Sequence, residues 1–270
     1  MPLKRALWLS LAFFLTLFLA HKTFASDPSR GALWRVVETC VAAKQTLDVS
    51  LPCLRVNLER HGSPGTAVLR LPWRETHTLV VPTTRLVGIE AAALQQPEAA
   101  AYWQSALAVR SLVVEATKGR VHIEDVGLAI NSRNGRTQDQ LHIHVDCARP
   151  EVLTALRQHD AEFGSTWKPL DFLQSLHFLH EHQRFFGVEI ASDRIGTSNI
   201  FKRLTHLPSY EGDLSKVGVA VFSSPPSASR QGFYVIAALG HNSQAEDLLD
   251  HACSLARGVA ANELGTNLKR

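Results

Sequence analysis

Apolar residues recur at helical spacing through "GALWRVVETCVAAKQT" (Gly31 to Thr46), which predicts a helix. The period then shortens to two. "TAVLRLPW" (Thr66 to Trp73) alternates as a strand does, and "HTLVVPT" (His77 to Thr83) is a second, more buried strand ended by Pro82. The short "RET" between them predicts an antiparallel hairpin. "GIEAAALQQPEAAAYWQSALAVRSLVVEATKG" contains one or two helices, with Pro97 at the first turn of a longer one from Glu98 to Lys118. "VGLAINS" (Val126 to Ser132) and "LHIHVDCA" are the third and fourth strands, joined by the polar loop "RNGRTQDQ". "RPEVLTALRQHDAEF" predicts a helix with Pro150 near its start, and "DFLQSLHFLHEHQRF" another helix or an irregular run. "KVGVAVFS" and "GFYVIAAL" are further strands, and "SQAEDLLDHACSLARGVAA" a closing helix capped by Ser243. Antiparallel strand pairs with helices between them give an α+β fold. The sequence reads as free of internal repeats. One continuous domain is expected over residues 26–270, with a division near Ser165 as the alternative.

The first residues break this pattern. "MPLKR" carries two cations, Ala6 to Ala20 carry no charge, and "HKTFAS" offers a small-residue site after Ala25. Residues 1–25 are therefore expected to be a secretory signal or a membrane anchor. The run is shorter than the roughly 20 residues of a full span, but a thinned bilayer still accommodates such a helix. Lys4 and Arg5 put the N-terminus in the cytoplasm and the remainder outside it.

Export makes the cysteines informative. Cys40, Cys53, Cys147 and Cys253 allow three pairings. Cys40–Cys53 would close a short local loop and leave Cys147–Cys253 as a long-range staple; four buried thiols are the alternative. No CxxC pair points to a metal. The chain is 45% apolar and 20% charged, the balance of a globular protein. A net charge of +3 with no basic run gives no reason to expect a nucleic-acid partner.

The fourth strand carries the chemistry. Side chains alternate across a strand, so Gln140, His142, His144 and Asp146 share one face, and Leu141, Ile143, Val145 and Cys147 the other. Three readings of the histidine pair compete. It can be a polar face making ordinary hydrogen bonds. It can be a metal site, with Asp146 or one of His177, His180 and His182 as a third ligand. Or a neutral imidazole attacks phosphorus while the second polarises the substrate or protonates the leaving group. The preceding loop favours the last. Asn131, Ser132, Arg133, Arg136, Thr137 and Gln138 form a dense donor set, and guanidinium forks suit phosphate oxygens but repel a metal ion.

"QLHIHV" resembles the histidine-triad signature, with Gln140 in place of the first His. "HTLVVPTTRLVGIEAAAL", beginning at His77, resembles the strand of that superfamily that lines the nucleotide pocket. "LAINSRNGRTQDQLHIHVDCARPEV" resembles the bacterial CDP-diacylglycerol pyrophosphatase family, a branch of the histidine-triad superfamily. The resemblance implies a histidine-triad-like antiparallel sheet with flanking helices. It implies hydrolysis of CDP-diacylglycerol to CMP and phosphatidate through a nucleotidyl-histidine, with no cofactor. His142 then matches the nucleophile, and His144 the histidine that contacts phosphate and the bridging oxygen. Asn131 and Thr137 match donors to the substrate, with His77 and Gln140 lining its pocket; Arg133 and Arg136 are added from the residues alone. A main-chain carbonyl at position 140 would orient the nucleophile. The implied location is the bacterial inner membrane with the catalytic domain in the periplasm, or the periplasm after cleavage, so the membrane surface is an expected partner. The alternatives are an exported hydrolase of other nucleotide phosphoanhydrides or phosphoramidates, and a binding protein that holds a nucleotide without turnover.

Overall fold

A computed structural model describes residues 28–60, 62–179, 183–208, 210–225 and 231–258. Residues 1–27, where the signal or anchor is expected, lie outside the described residues. No helix among the described residues is long and apolar enough to cross a membrane.

The first helix, α1 (Ala32–Leu47), buries Leu33, Val37 and Cys40 at helical spacing and ends on Asp48 in the left-handed region. Then come β1 (Arg55–Asn57), β2 (Thr66–Arg70) and β3 (Thr78–Pro82). The helical stretch expected as one piece is α2 (Ala100–Ala108) and α3 (Arg110–Ala116). The break is at Val109, whose backbone stays in the helical region, so the apolar spacing crosses it unchanged. β4 (Val126–Ile130) and β5 (Ile143–Cys147) follow, then α4 (Pro150–Gln158). The second half contains β6 (Lys168–Pro169), β7 (Arg184–Ala191), the short α5 (Ile200–Leu204), β8 (Val217–Ser223) and β9 (Gly232–Leu239).

These strands form one antiparallel sheet in the order β1-β2-β3-β5-β4-β8-β9-β7-β6. Apart from β1, which has no counterpart, the order is palindromic about the β4–β8 pair, and the registers match. Ala129 faces Ala220 at the centre. Rotation about that point carries "VGLAI" of β4 onto "VGVAV" of β8. It carries His144 onto Ile236 and Leu79 onto Gly187, because each pair holds the same place in its ladder. The chain therefore does contain an internal repeat, against the sequence expectation. Only fragments of sequence survive in it because the two copies cover their faces differently.

One sheet face is continuous. Leu128, Ile130, Ile143, Val145, Val219 and Val235 lie in a core that also takes in Trp103 of α2, Val113 of α3 and Phe201 of α5. On the other face the copies diverge. In the second half Phe222, Tyr234 and Ile236 pack with Phe163 and Leu170 and with Val152 and Leu156 of α4. A side chain at Gly187 would strike Leu170 and Phe163. In the first half α1 covers only part of that face, through Leu33, Val37, Leu69 and Leu79. The rest is open.

Two elements differ from expectation near the C-terminus. The closing helix expected from Ser243 begins later: residues 245–248 form a 3-10 turn, Leu249 makes a β-bridge to Ala148, and helix appears only at 254–258. Ser243 does not cap it; its hydroxyl donates to the Gly240 carbonyl. "DFLQSLHFLHEHQRF" gives a 3-10 turn at Asp171–Ser175, and its end enters β7. Both disulfides form as Cys40–Cys53 and Cys147–Cys253, with no free cysteine among the described residues.

Candidate active site

The open part of the sheet face is a cleft of about 710 Å³. Its polar lining is His142, His144, His77, Asn131, Thr137 and Glu246. Its apolar lining is Leu33, Val36, Pro52, Leu69, Leu71 and Leu79, the last directly opposite His144 in the sheet.

The polar lining is built from β5 and its approach. As the alternation required, Leu141, Ile143, Val145 and Cys147 point into the core and the histidines point away. The Nδ1–H of His142 donates to the Gln140 carbonyl at 2.7 Å. That bond fixes the tautomer and leaves the Nε2 lone pair to the cleft. Burial holds the His142 imidazole below its ordinary pKa, against the opposing pull of the Gln140 bond. His142 is therefore a neutral ring with a bare nitrogen.

His144 stands next to it, ring centroids 4.7 Å apart. Its Nδ1 is 2.8 Å from His77 Nε2 and 3.2 Å from Glu246 Oε1. Its Nε2 is buried and has no protein partner. The proton between His77 Nε2 and His144 Nδ1 sets the tautomer; the form in which His77 donates leaves a proton on His144 Nε2, which has no acceptor until a ligand arrives. Burial keeps both rings neutral: His144 lies well below its ordinary pKa, and His77 is pushed down to about 4, burial first and the His251 charge second.

Two side chains that the sequence reading did not assign complete the arrangement. Glu246, from the Ala245–Leu248 turn, is held by Asn131 on both sides: Asn131 Nδ2 donates to Oε2 at 2.8 Å and its Oδ1 accepts from the Glu246 N–H at 3.0 Å. His251 bridges two carboxylates, with Nδ1 2.8 Å from Asp146 Oδ2 and Nε2 2.8 Å from Glu246 Oε1. Burial alone would lower its pKa, but the two hydrogen bonds raise it to about 9. Burial likewise opposes ionisation of Glu246, yet the imidazoles of His144 and His251 and the Asn131 amide hold it well below the carboxylate range. Asp146, His251 and Glu246 thus form one hydrogen-bonded chain, with the His77 ring stacked on His251 at 3.9 Å. Glu246 and His251 lie about a hundred residues beyond β5, inside "SQAEDLLDHAC", and no local pattern marks them.

His77, Glu246 and His251 also offer three potential ligand atoms within 4.8 Å of one another. They suit a divalent cation poorly, since His251 would first have to give up a proton held by two carboxylates. Asp146 is taken by His251, and His177 stacks edge-on against Phe178. His180 and His182 lie outside the described residues.

The remaining predicted site residues divide. Asn131 lines the cleft with its amide committed to Glu246, and Thr137 is exposed at the mouth. Gln140 does not line it. Its amide donates to the Pro82 and Thr84 carbonyls and accepts from the Leu86 N–H, stapling the loop after β3. The Arg136 guanidinium is buried in a two-pronged pair with Glu90 at 2.8 and 2.6 Å, packed over Gly88 in the left-handed region. Arg133 is exposed on the loop and does not line the cleft. The loop's donors are right in kind, but the fold consumes most of them.

Known proteins bear on this site. Residues 28–257 match the family described as CDP-diacylglycerol pyrophosphatase. A CDP-diacylglycerol pyrophosphatase of Yersinia pestis is 38% identical over 140 residues, 52% of this chain and 53% of that protein. The aligned part thus spans about half of that relative's length. A probable CDP-diacylglycerol pyrophosphatase of Mycobacterium leprae is 30% identical over 237 residues, 86% of this chain and 83% of that one. The Mycobacterium tuberculosis protein of the same name is 29% identical over 238 residues, 86% and 85%. Among solved structures, the yeast Ap4A phosphorylase Apa2 aligns over 76% of this chain and 78% of its own at 11% identity, with a TM-score of 0.30, too low to carry weight.

Proposed function

The chain belongs to the CDP-diacylglycerol pyrophosphatase family, and from that membership we propose that the cleft hydrolyses CDP-diacylglycerol to CMP and phosphatidate with His142 as nucleophile. The observation that carries this reading is the pairing of a bare His142 Nε2 with a partnerless His144 Nε2 in one cleft.

In the first step His142 Nε2 attacks the phosphorus bonded to cytidine, the phosphoanhydride P–O bond breaks, and phosphatidate leaves with its bridging oxygen. His144 Nε2–H donates to that oxygen as charge builds there; a positioned donor of this kind is worth a few kcal/mol in enzymes generally. In the second step water attacks the phosphorus of the cytidylyl-histidine and the P–N bond breaks. His142 leaves as the neutral ring with Nδ1–H still on the Gln140 carbonyl, and the proton lost by the water passes to solvent as CMP departs. Thr137 at the mouth meets the nucleotide. Asn131 and His251 hold Glu246 ionised beside His144, so a proton passing to that ring is stabilised. The Gln140 carbonyl orients the nucleophile as the histidine-triad pattern requires, which supports membership of that superfamily. Residues 1–25 act as an export signal or anchor, residues 26–270 form the catalytic part, and the two disulfides fit an extracytoplasmic site.

Mass spectrometry after brief exposure of the protein to CDP-diacylglycerol tests the proposal. A cytidylyl adduct on His142, absent from folded His142→Ala together with turnover, is the expected result. Near-normal turnover by His142→Ala would end the assignment.

A further inference from the structure

We propose that the apolar rim of the cleft is a docking surface for a lipid bilayer, so that the substrate enters from the membrane plane; this rests on the lipid-nucleotide reading above. Eight large apolar side chains are exposed among the described residues, and six belong to one neighbourhood. They lie on α1, on the loop from α1 to β1, and on the β2–β3 turn; among them Leu47 is 72% exposed, Leu51 69%, Leu54 51% and Trp73 101%. The same three segments supply Val36, Pro52, Leu71 and Pro72 to the cleft, so wall and rim are continuous. Scattered apolar side chains need no explanation, but a cluster around a cleft mouth marks an interaction site.

The rim is held open. Cys53 is buried and bonded to Cys40, which pins the loop while Leu51 and Leu54 face solvent on either side of it. Trp73 has φ 63, a conformation that bulky residues avoid, and its indole lies wholly in solvent. Trp is the side chain that favours the headgroup level of a bilayer. Exposed Arg55 and Arg74 adjoin Leu54 and Trp73 and are placed to meet lipid phosphates. The ligand gives a reason for such a rim. A cleft of about 710 Å³ is the size that encloses a drug-sized molecule, so two long acyl chains have to leave through its apolar wall.

The test uses the full chain with vesicles of phosphatidylethanolamine and phosphatidylglycerol. Nitroxide labels replace Trp73, Leu51 and, as a control away from the cleft, exposed Ile123. Labels at 73 and 51 are expected to become accessible to lipid-soluble oxygen and shielded from a water-soluble nickel chelate, while the label at 123 stays wet. Equal water access at all three positions would overturn the proposal. A Trp73→Glu, Leu51→Glu double variant is expected to lose about tenfold in turnover of vesicle-borne CDP-diacylglycerol. It should keep turnover of a short-chain, monomeric analogue, which also reports folding. Equal loss on both substrates, or a dimer of the unsubstituted chain that the variant abolishes, would make the rim something other than a bilayer contact. Failure of the unsubstituted protein on both substrates would sink the catalytic reading instead, while the label positions still report docking.

Discussion

His251 sits half-buried between Asp146 and Glu246, and its pKa, raised to about 9, ties the site to folding stability. The ordinary value is 6.5, so between 6.5 and 9 the folded state holds a proton that the unfolded state releases. This contribution is whole below pH 6.5 and is lost as pH rises through 9. His77 acts in the opposite sense. Its pKa is pushed to about 4, so between 6.5 and 4 the unfolded state binds the extra proton and stability falls with acidification. Thermal melts should therefore peak near pH 6.5, and His251→Gln should flatten the alkaline limb and also soften the acid one, because the His251 charge is the second cause of the low His77 value. An unchanged alkaline limb in that variant would show that the cation is not held as described. Of these residues, His142, His144 and Asn131 could be read from the chain because strand alternation and a short polar loop are local signals. Glu246 and His251 could not, because only the tertiary fold brings their turn to β5. Arg136 and Gln140 show the reverse failure: composition reveals a donor but not whether Glu90 or the Pro82 and Thr84 carbonyls will consume it.

Among the elements, the segment from Glu246 to Cys253 departs furthest from its propensity. Its spacing suits a helix, yet Leu249 bridges to Ala148, and the Asp250 N–H donates to the Cys147 carbonyl at 2.7 Å. Sheet contacts and the Cys147–Cys253 bond outweigh helix propensity there. That bond closes a separation of 106 residues, which chain-entropy reasoning values at about 4 to 5 kcal/mol. Replacing both cysteines by serine should lower stability towards that amount in denaturant melts and reduce turnover too, since the segment carries Glu246 and His251. The Cys40–Cys53 loop spans 13 residues and is worth about 3 kcal/mol by the same reasoning. Full activity in the Cys147→Ser, Cys253→Ser variant would separate the staple from the site. β2, β3, β4, β5, β8 and β9 were legible because they are apolar runs bounded by turn residues. β7 was hidden because the histidine-rich stretch before it reads as helix or irregular chain, and β6 is too short to leave a pattern.

At the scale of the molecule, the palindromic sheet places one open face and one filled face about a single axis. The positions equivalent to His142 and His144 hold Tyr234 and Ile236, and the Tyr234 hydroxyl is bonded to Asp160. Among the described residues, the second half thus holds no histidine at the position proposed for the nucleophile. Rapid mixing with CDP-diacylglycerol should release at most one phosphatidate per chain before steady turnover. A burst near two would mean that the second face is also catalytic.

The filled half is still bound to the chemistry, because the turn that follows β9 crosses to the other half and delivers Glu246 and His251. Two related strands therefore answer to different kinds of selection. Variation along β9 is constrained by volume and packing, and variation along β5 by proton positions. An insertion between them that merely shifts how the halves meet would silence the enzyme without touching either histidine of the pair.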